Sequence, residues 1–148
     1  MPANTAPIFP VTPYAAFANL SAQTACTTRG PTATAGLAAA NIVVLVPADS
    51  VNGRKIDSIR VKASSTSITA PTAAQLVTIW QHNGTTAFPV AEIQVDLQTP
   101  ATTSPSFERL VRFDDLVLPA AHALYVSTTI TTAAATTALT VKAVGGDY

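Results

Sequence analysis

The stretch Gln75-Leu76-Val77-Thr78-Ile79-Trp80-Gln81-His82-Asn83-Gly84-Thr85-Thr86-Ala87-Phe88-Pro89-Val90-Ala91-Glu92-Ile93-Gln94-Val95-Asp96-Leu97 decides the fold. Its first arm is rich in β-branched and aromatic residues and runs into Asn83-Gly84. That pair suits a two-residue type I′ turn, because both central positions need positive φ. A turn closed by His82 and Thr85 sets Ile79 across from Phe88 and Trp80 across from Ala87. It also sets Thr78 against Pro89, which has no N–H to give to the ladder. The alternation changes parity at the same place: Phe88 is even, whereas Ala91, Ile93, Val95 and Leu97 are odd. One extra residue around Pro89-Val90 resolves both conflicts and predicts a β-bulge.

The same period-2 pattern continues outward on both sides. Ile59, Val61 and Ala63 alternate with Ser58, Arg60 and Lys62, and Leu139, Val141 and Ala143 with Thr140 and Lys142. Leu124, Val126 and Ile130 alternate with Tyr125, Ser127 and Thr129. Ile42 to Val46 is a continuous apolar run, the pattern of a central strand buried on both faces. The spacing predicts about eight strands, near 14–20, 37–47, 54–63, 74–82, 85–97, 107–114, 123–131 and 138–144. The Ala-rich pieces at 37–40 and 133–135 have room for no more than a helical turn. The expected fold is therefore all-β: one β-sandwich domain over residues 15–148, in jelly-roll form, preceded by an extended arm over residues 1–14.

That arm carries Pro2, Pro7, Pro10 and Pro13, a density that forbids helix and favours an extended, polyproline-like chain. It also carries Ile8, Phe9, Val11 and Tyr14, which a solvated tail does not need. These four residues are the candidate interaction site. The arm docks either on its own domain or on a neighbour, and fourteen extended residues reach up to about 45 Å.

Composition narrows the function classes. Charged residues are only 11% of the chain and the formal net charge is zero, so the bulk signature of a nucleic-acid or anionic-membrane binder is missing. A polar but nearly uncharged Thr/Ser/Ala surface suits a protein that works assembled, and a homo-oligomer is expected. The single cysteine, Cys26, reads as a small buried hydrophobe. The N-terminus has no basic region followed by an apolar run, so a secretory signal is not expected, and no stretch is long enough for a membrane helix.

Chemistry-bearing residues are scattered. Asp114-Asp115 reads as a strand end or turn, because adjacent strand residues point to opposite faces. Glu92 and Asp96 fall on the polar face of one strand, and His82 and His122 read as surface loop residues without metal-ligand spacing. Asn52-Gly53 and Gly145-Gly146 read as turns or chain ends. No catalytic residue, metal ligand or cofactor site is assigned, and a non-enzyme is expected. Trp80, Tyr14, Tyr125 and Tyr148 leave a carbohydrate- or receptor-binding module as an alternative.

Several short stretches resemble small, Ala/Thr-rich structural proteins of tailed-phage particles. They are Asn4-Thr5-Ala6-Pro7-Ile8-Phe9 at the start and Ala143-Val144-Gly145-Gly146-Asp147-Tyr148 at the end, with Ile59-Arg60-Val61-Lys62-Ala63, the His82-Asn83-Gly84 turn and Leu116-Val117-Leu118-Pro119-Ala120 between. Where that family carries Gly after Pro-Ala, this chain has Ala121. The resemblance implies a virion structural protein, made in the host cytoplasm. Capsid decoration is the favoured role: a trimer bound to the major capsid protein on the phage head. The alternative within the class is a tail or fibre-tip component.

Overall fold

The structure, a computed structural model, describes residues 12–33, 41–67 and 69–148. The arm residues Ile8, Phe9 and Val11, and the 37–40 part of the expected second strand, lie outside these described residues.

Among the described residues the chain is all-β, with ten strands: β1 Thr12–Leu20, β2 Thr32–Ala33, β3 Val43–Val46, β4 Arg54–Ala63, β5 Gln75–His82, β6 Thr86–Val95, β7 Glu108–Arg112, β8 Val117–Leu118, β9 Ala123–Thr128 and β10 Leu139–Asp147. They form two antiparallel sheets. The front sheet has the order β1-β10-β4-β7, with β8 pairing the far end of β4. The back sheet has the order β2-β6-β5-β9-β3. The alternating residues meet between them as one core: Ala18, Leu20, Ile56, Ile59, Val61, Leu139, Val141 and Ala143 from the front, and Leu45, Val46, Val77, Ile79, Ile93, Val95, Leu124 and Val126 from the back. This is the β-sandwich that the alternation predicts, since each strand presents every second residue to the facing sheet.

The hairpin differs from expectation in register. Asn83 N–H donates to the Thr86 carbonyl at 3.1 Å, so the two-residue loop is Gly84-Thr85, not Asn83-Gly84. Gly84, at φ 98°, takes the first central place, the position at which a II′-type hairpin turn uses glycine. The Asn83 side chain explains the shift: its Oδ1 accepts from Thr86 N–H at 2.8 Å, from Thr85 N–H at 3.1 Å and from the Thr85 hydroxyl. An asparagine that staples the turn as an acceptor need not adopt positive φ itself. Pairing consequently sets Trp80 against Pro89, Gln81 against Phe88 and Ile79 against Ala91, correcting the expected Ile79–Phe88 pair. The bulge is where the parity change placed it, with Val90 as the extra residue between Pro89 and Ala91.

The apolar run at Ile42–Val46 is also a correction. Among the described residues β3 is an edge strand, paired only with β9. A register shift at Leu45 turns Leu45 and Val46 inward together while Val44 stays exposed, so a bulge, not burial on two faces, accounts for the unbroken run. Gly145 and Gly146, read as a turn or chain end, lie near the end of the chain but form no turn, for both pair within β10. At Gly145 the ladder shifts past Asp57, and a Cβ there would collide with the Lys55 carbonyl oxygen. Glycine is needed for that close approach of backbones.

Candidate interaction surfaces

Tyr14, the described member of the sequence-predicted site, lies on the edge strand of the front sheet. Thr12, Pro13 and Tyr14 belong to β1, opposite Asp147, Gly146 and Gly145 of β10, so the extended arm expected through residue 14 is already strand from residue 12. Tyr14 is half-buried and packs against its own core, with the Arg54 guanidinium 4.3 Å from its ring centroid. Burial raises the Tyr14 phenol above its ordinary pKa, the Arg54 charge opposes this, and Asp147 adds to it.

Arg54 is the hub of that corner. Its Nε donates to Asp147 Oδ1 at 2.7 Å and a second nitrogen to the Pro47 carbonyl, and it lies 3.5 Å from Asp49 Oδ2. Its side chain is only 11% exposed, so the charge depends on these acceptors. Asp49 in turn accepts from the N–H groups of Val51 and Asn52, and these two bonds hold its carboxyl below the ordinary pKa. One arginine thus ties β1, β10 and the β3–β4 loop together at the start of β1. The same loop accepts Ala121 N–H on the Asp49 carbonyl. Ala121 sits at φ 66°, left-handed space that favours the glycine expected there by resemblance.

The outer face of the back sheet is covered over its centre, while Val44, Glu92 and Gln94 stay exposed towards its edges. Residues 21–33 pass over it: Cys26 N–H donates to the Thr128 carbonyl, Gln23 and Thr132 exchange two bonds, and Arg29 reaches Glu92 at 3.5 Å. Beneath them Trp80, Cys26 and Ala87 form a second apolar cluster with Ile42 and Tyr125 at its rim. Trp80 is 0% exposed and its indole N–H donates to Ser127 Oγ at 2.8 Å. A ring so enclosed cannot stack on a sugar. Tyr125 meets His82 edge-on at 5.2 Å, whereas Tyr14 and Tyr148 lie at the Arg54 corner, so these aromatics make no common platform. His82 is buried, correcting the expected surface position, and its Nδ1 accepts from Gly84 N–H at 3.2 Å. It acts as part of the turn. His122 is half-buried, its Nδ1 3.0 Å from Gln81 Nε2, and Asp114 and Asp115 are exposed in the bend between β7 and β8.

The outer face of the front sheet is open, and the sequence reading did not single it out. Strand register arranges it in rows. Ala15, Val144, Ser58 and Arg112 form one, then Phe17, Lys142, Arg60 and Leu110, then Asn19, Thr140, Lys62 and Glu108. Four of the chain's eight lysines and arginines therefore share this face. Glu108 is the one carboxylate in these rows, 3.2 Å from Arg60, which leaves three positive charges uncompensated. Phe17 is 64% exposed with Lys142 Nζ 5.1 Å from its ring, and Leu110 and Val144 are also exposed. Between Phe17, Arg60, Lys62, Thr140 and Lys142 runs a groove of about 320 Å³.

Among the described residues, no group of three or more His, Cys, Asp or Glu side chains converges as a metal site, and no helix is long and apolar enough to cross a membrane. No protein-family model, curated protein or solved structure matches the chain.

Proposed function

We propose that this chain is a non-catalytic structural protein of a tailed-phage particle, a decoration protein that binds the major capsid protein on the outside of the head as a homo-oligomer, most simply a trimer. The observation that carries the reading is the position of β1. It is the edge strand of the front sheet, anchored by Tyr14 and Arg54, and the Pro-rich apolar segment Ile8-Phe9-Pro10-Val11 directly precedes it in the sequence. An apolar segment adjacent in sequence to a sheet-edge strand is suited to pairing with, or lying across, an adjacent subunit. The strand order supports the jelly-roll reading: β1, β10, β4 and β7 in one sheet interleave in the chain with β3, β9, β5 and β6 in the other. Many virion proteins are built on this architecture, so it adds weight but not function.

The role is thermodynamic. A protein that binds the assembled shell and not free capsid subunits stabilises the shell by mass action. Burying one Ile and one Phe supplies roughly 3–6 kcal/mol per arm before ordering costs, and proline pre-extension lowers those costs.

The test uses particles of the encoding phage stripped of this protein. The full chain binds them and raises the temperature at which the shells open. Deleting residues 2–11 spares β1 and Tyr14, and gives a folded domain that no longer binds. Binding of the full chain to tails or host cells and not to heads would overturn the decoration role, and a monomer by light scattering at micromolar concentration would overturn the oligomer.

A further inference from the structure

We infer that the outer face of the front sheet is a second docking surface, and that its occupant is an acidic protein surface carrying apolar side chains. The inference deepens the decoration reading by stating the partner's chemistry, and its test does not require that reading. The rows Phe17–Lys142–Arg60–Leu110 and Asn19–Thr140–Lys62–Glu108 place three cations around one groove, on a chain whose total charge is zero. A neutral, sparsely charged protein has no solubility requirement for that concentration of one sign. Charge gathered this way sets partner choice and encounter rate.

The apolar members shape the choice of partner. Phe17, Leu110 and Val144 stand exposed among the cations, and the lysine and arginine stems widen the apolar area. Aromatic and arginine anchors on a flat patch are the make-up of a protein–protein contact. A single-strand nucleic-acid surface would instead need successive aromatic platforms, and these rows hold one aromatic ring, Phe17. A second copy meeting the same face by two-fold symmetry would set three excess positive charges against three, which like-charge repulsion disfavours. The groove is therefore matched to glutamate or aspartate side chains of a different surface, with an aliphatic neighbour seated on Phe17.

The experiment is an NMR titration of the isotope-labelled full chain with a capped peptide of alternating Glu and Leu, about twelve residues long, at low and at moderate salt. Oligothymidylate of similar length serves as the second probe. Shifts are expected at Phe17, Arg60, Lys62, Thr140 and Lys142, with binding weakened about tenfold by R60Q/K62Q/K142Q and again by salt. These side chains lie outside the core, and an unchanged urea midpoint checks the fold of the variant. Absent shifts, or shifts elsewhere, overturn the inference. Tighter binding of oligothymidylate to the same residues overturns the protein partner in favour of nucleic acid, and self-association that buries Phe17 overturns it in favour of a second copy. If the peptide binds as expected while stripped particles do not take up the chain, the docking face stands and the decoration role falls.

Discussion

The two outer faces of the sandwich start from the same strand alternation and end differently. On the back sheet the central outward residues Thr78, Trp80 and Ser127 are buried, because residues 21–33 lie over them and close a second apolar cluster, while the peripheral Val44, Glu92 and Gln94 reach solvent. On the front sheet the outward residues Phe17, Arg60, Lys62, Leu110 and Val144 remain exposed. The difference shows that alternation fixes which side chains share a face, while the connecting segments decide whether that face meets water, its own chain or a partner. A tryptophan on one outward face is thus a core residue, and a phenylalanine on the other is a surface one.

Substitution at these two rings should break the symmetry most sharply. Trp80→Ala empties the sealed cluster and orphans the Ser127 hydroxyl, and should cost about 3–5 kcal/mol in urea unfolding. Phe17→Ala should change stability by less than about 0.5 kcal/mol, as an exposed position does. Comparable losses at the two sites would mean that the front face is covered within the chain. The front sheet is not tolerant everywhere, however. Gly145→Ala forces a methyl group into the Lys55 carbonyl, and should cost about 3 kcal/mol, the upper range for overpacking. A neutral result would show that the β10–β4 bulge relaxes. Ala121 belongs to neither face and provides a change of opposite sign. Ala121→Gly relieves a left-handed alanine and should raise stability by about 0.5–1 kcal/mol, the left-handed penalty less the added chain entropy.

Part of this arrangement is legible in the residues alone. The inward sets Ile59-Val61 and Leu139-Val141 and the bulge at Val90 follow from local parity, and parity is a property of the sequence itself. The slip of the turn to Gly84-Thr85 was not legible, because the pattern that suggests Asn83 for positive φ also suits its Oδ1 as a turn acceptor. The edge position of β3 was hidden for a related reason: a bulge and a twice-buried strand both produce an unbroken apolar run. The enclosure of Trp80 is not legible either, since nothing local reports that residues 21–33 return over it.

The cationic face is the most instructive omission. Arg60 and Lys62 were placed on one side of their strand and Lys142 on one side of another, but their meeting depends on β4 and β10 being neighbours. Those strands are separated by most of the domain, and a formal charge of zero records the sum and not its distribution.

The contrast between a face covered at its centre and one open and cationic can be read in a single fluorescence measurement. Phe17→Trp in the otherwise unchanged chain adds a reporter on the open face to the one native tryptophan, Trp80. Collisional quenching by iodide and by caesium, each scaled to its quenching of free N-acetyltryptophanamide, is then compared at equal, low ionic strength, where local charge is least screened. This arrangement predicts that the native protein is almost unquenched by either ion, and that the added emission of the variant is quenched relatively more by iodide than by caesium, since Arg60, Lys62 and Lys142 concentrate anions there. Quenching of Trp80 in the native protein, or equal scaled quenching of the added tryptophan by the two ions, would contradict it.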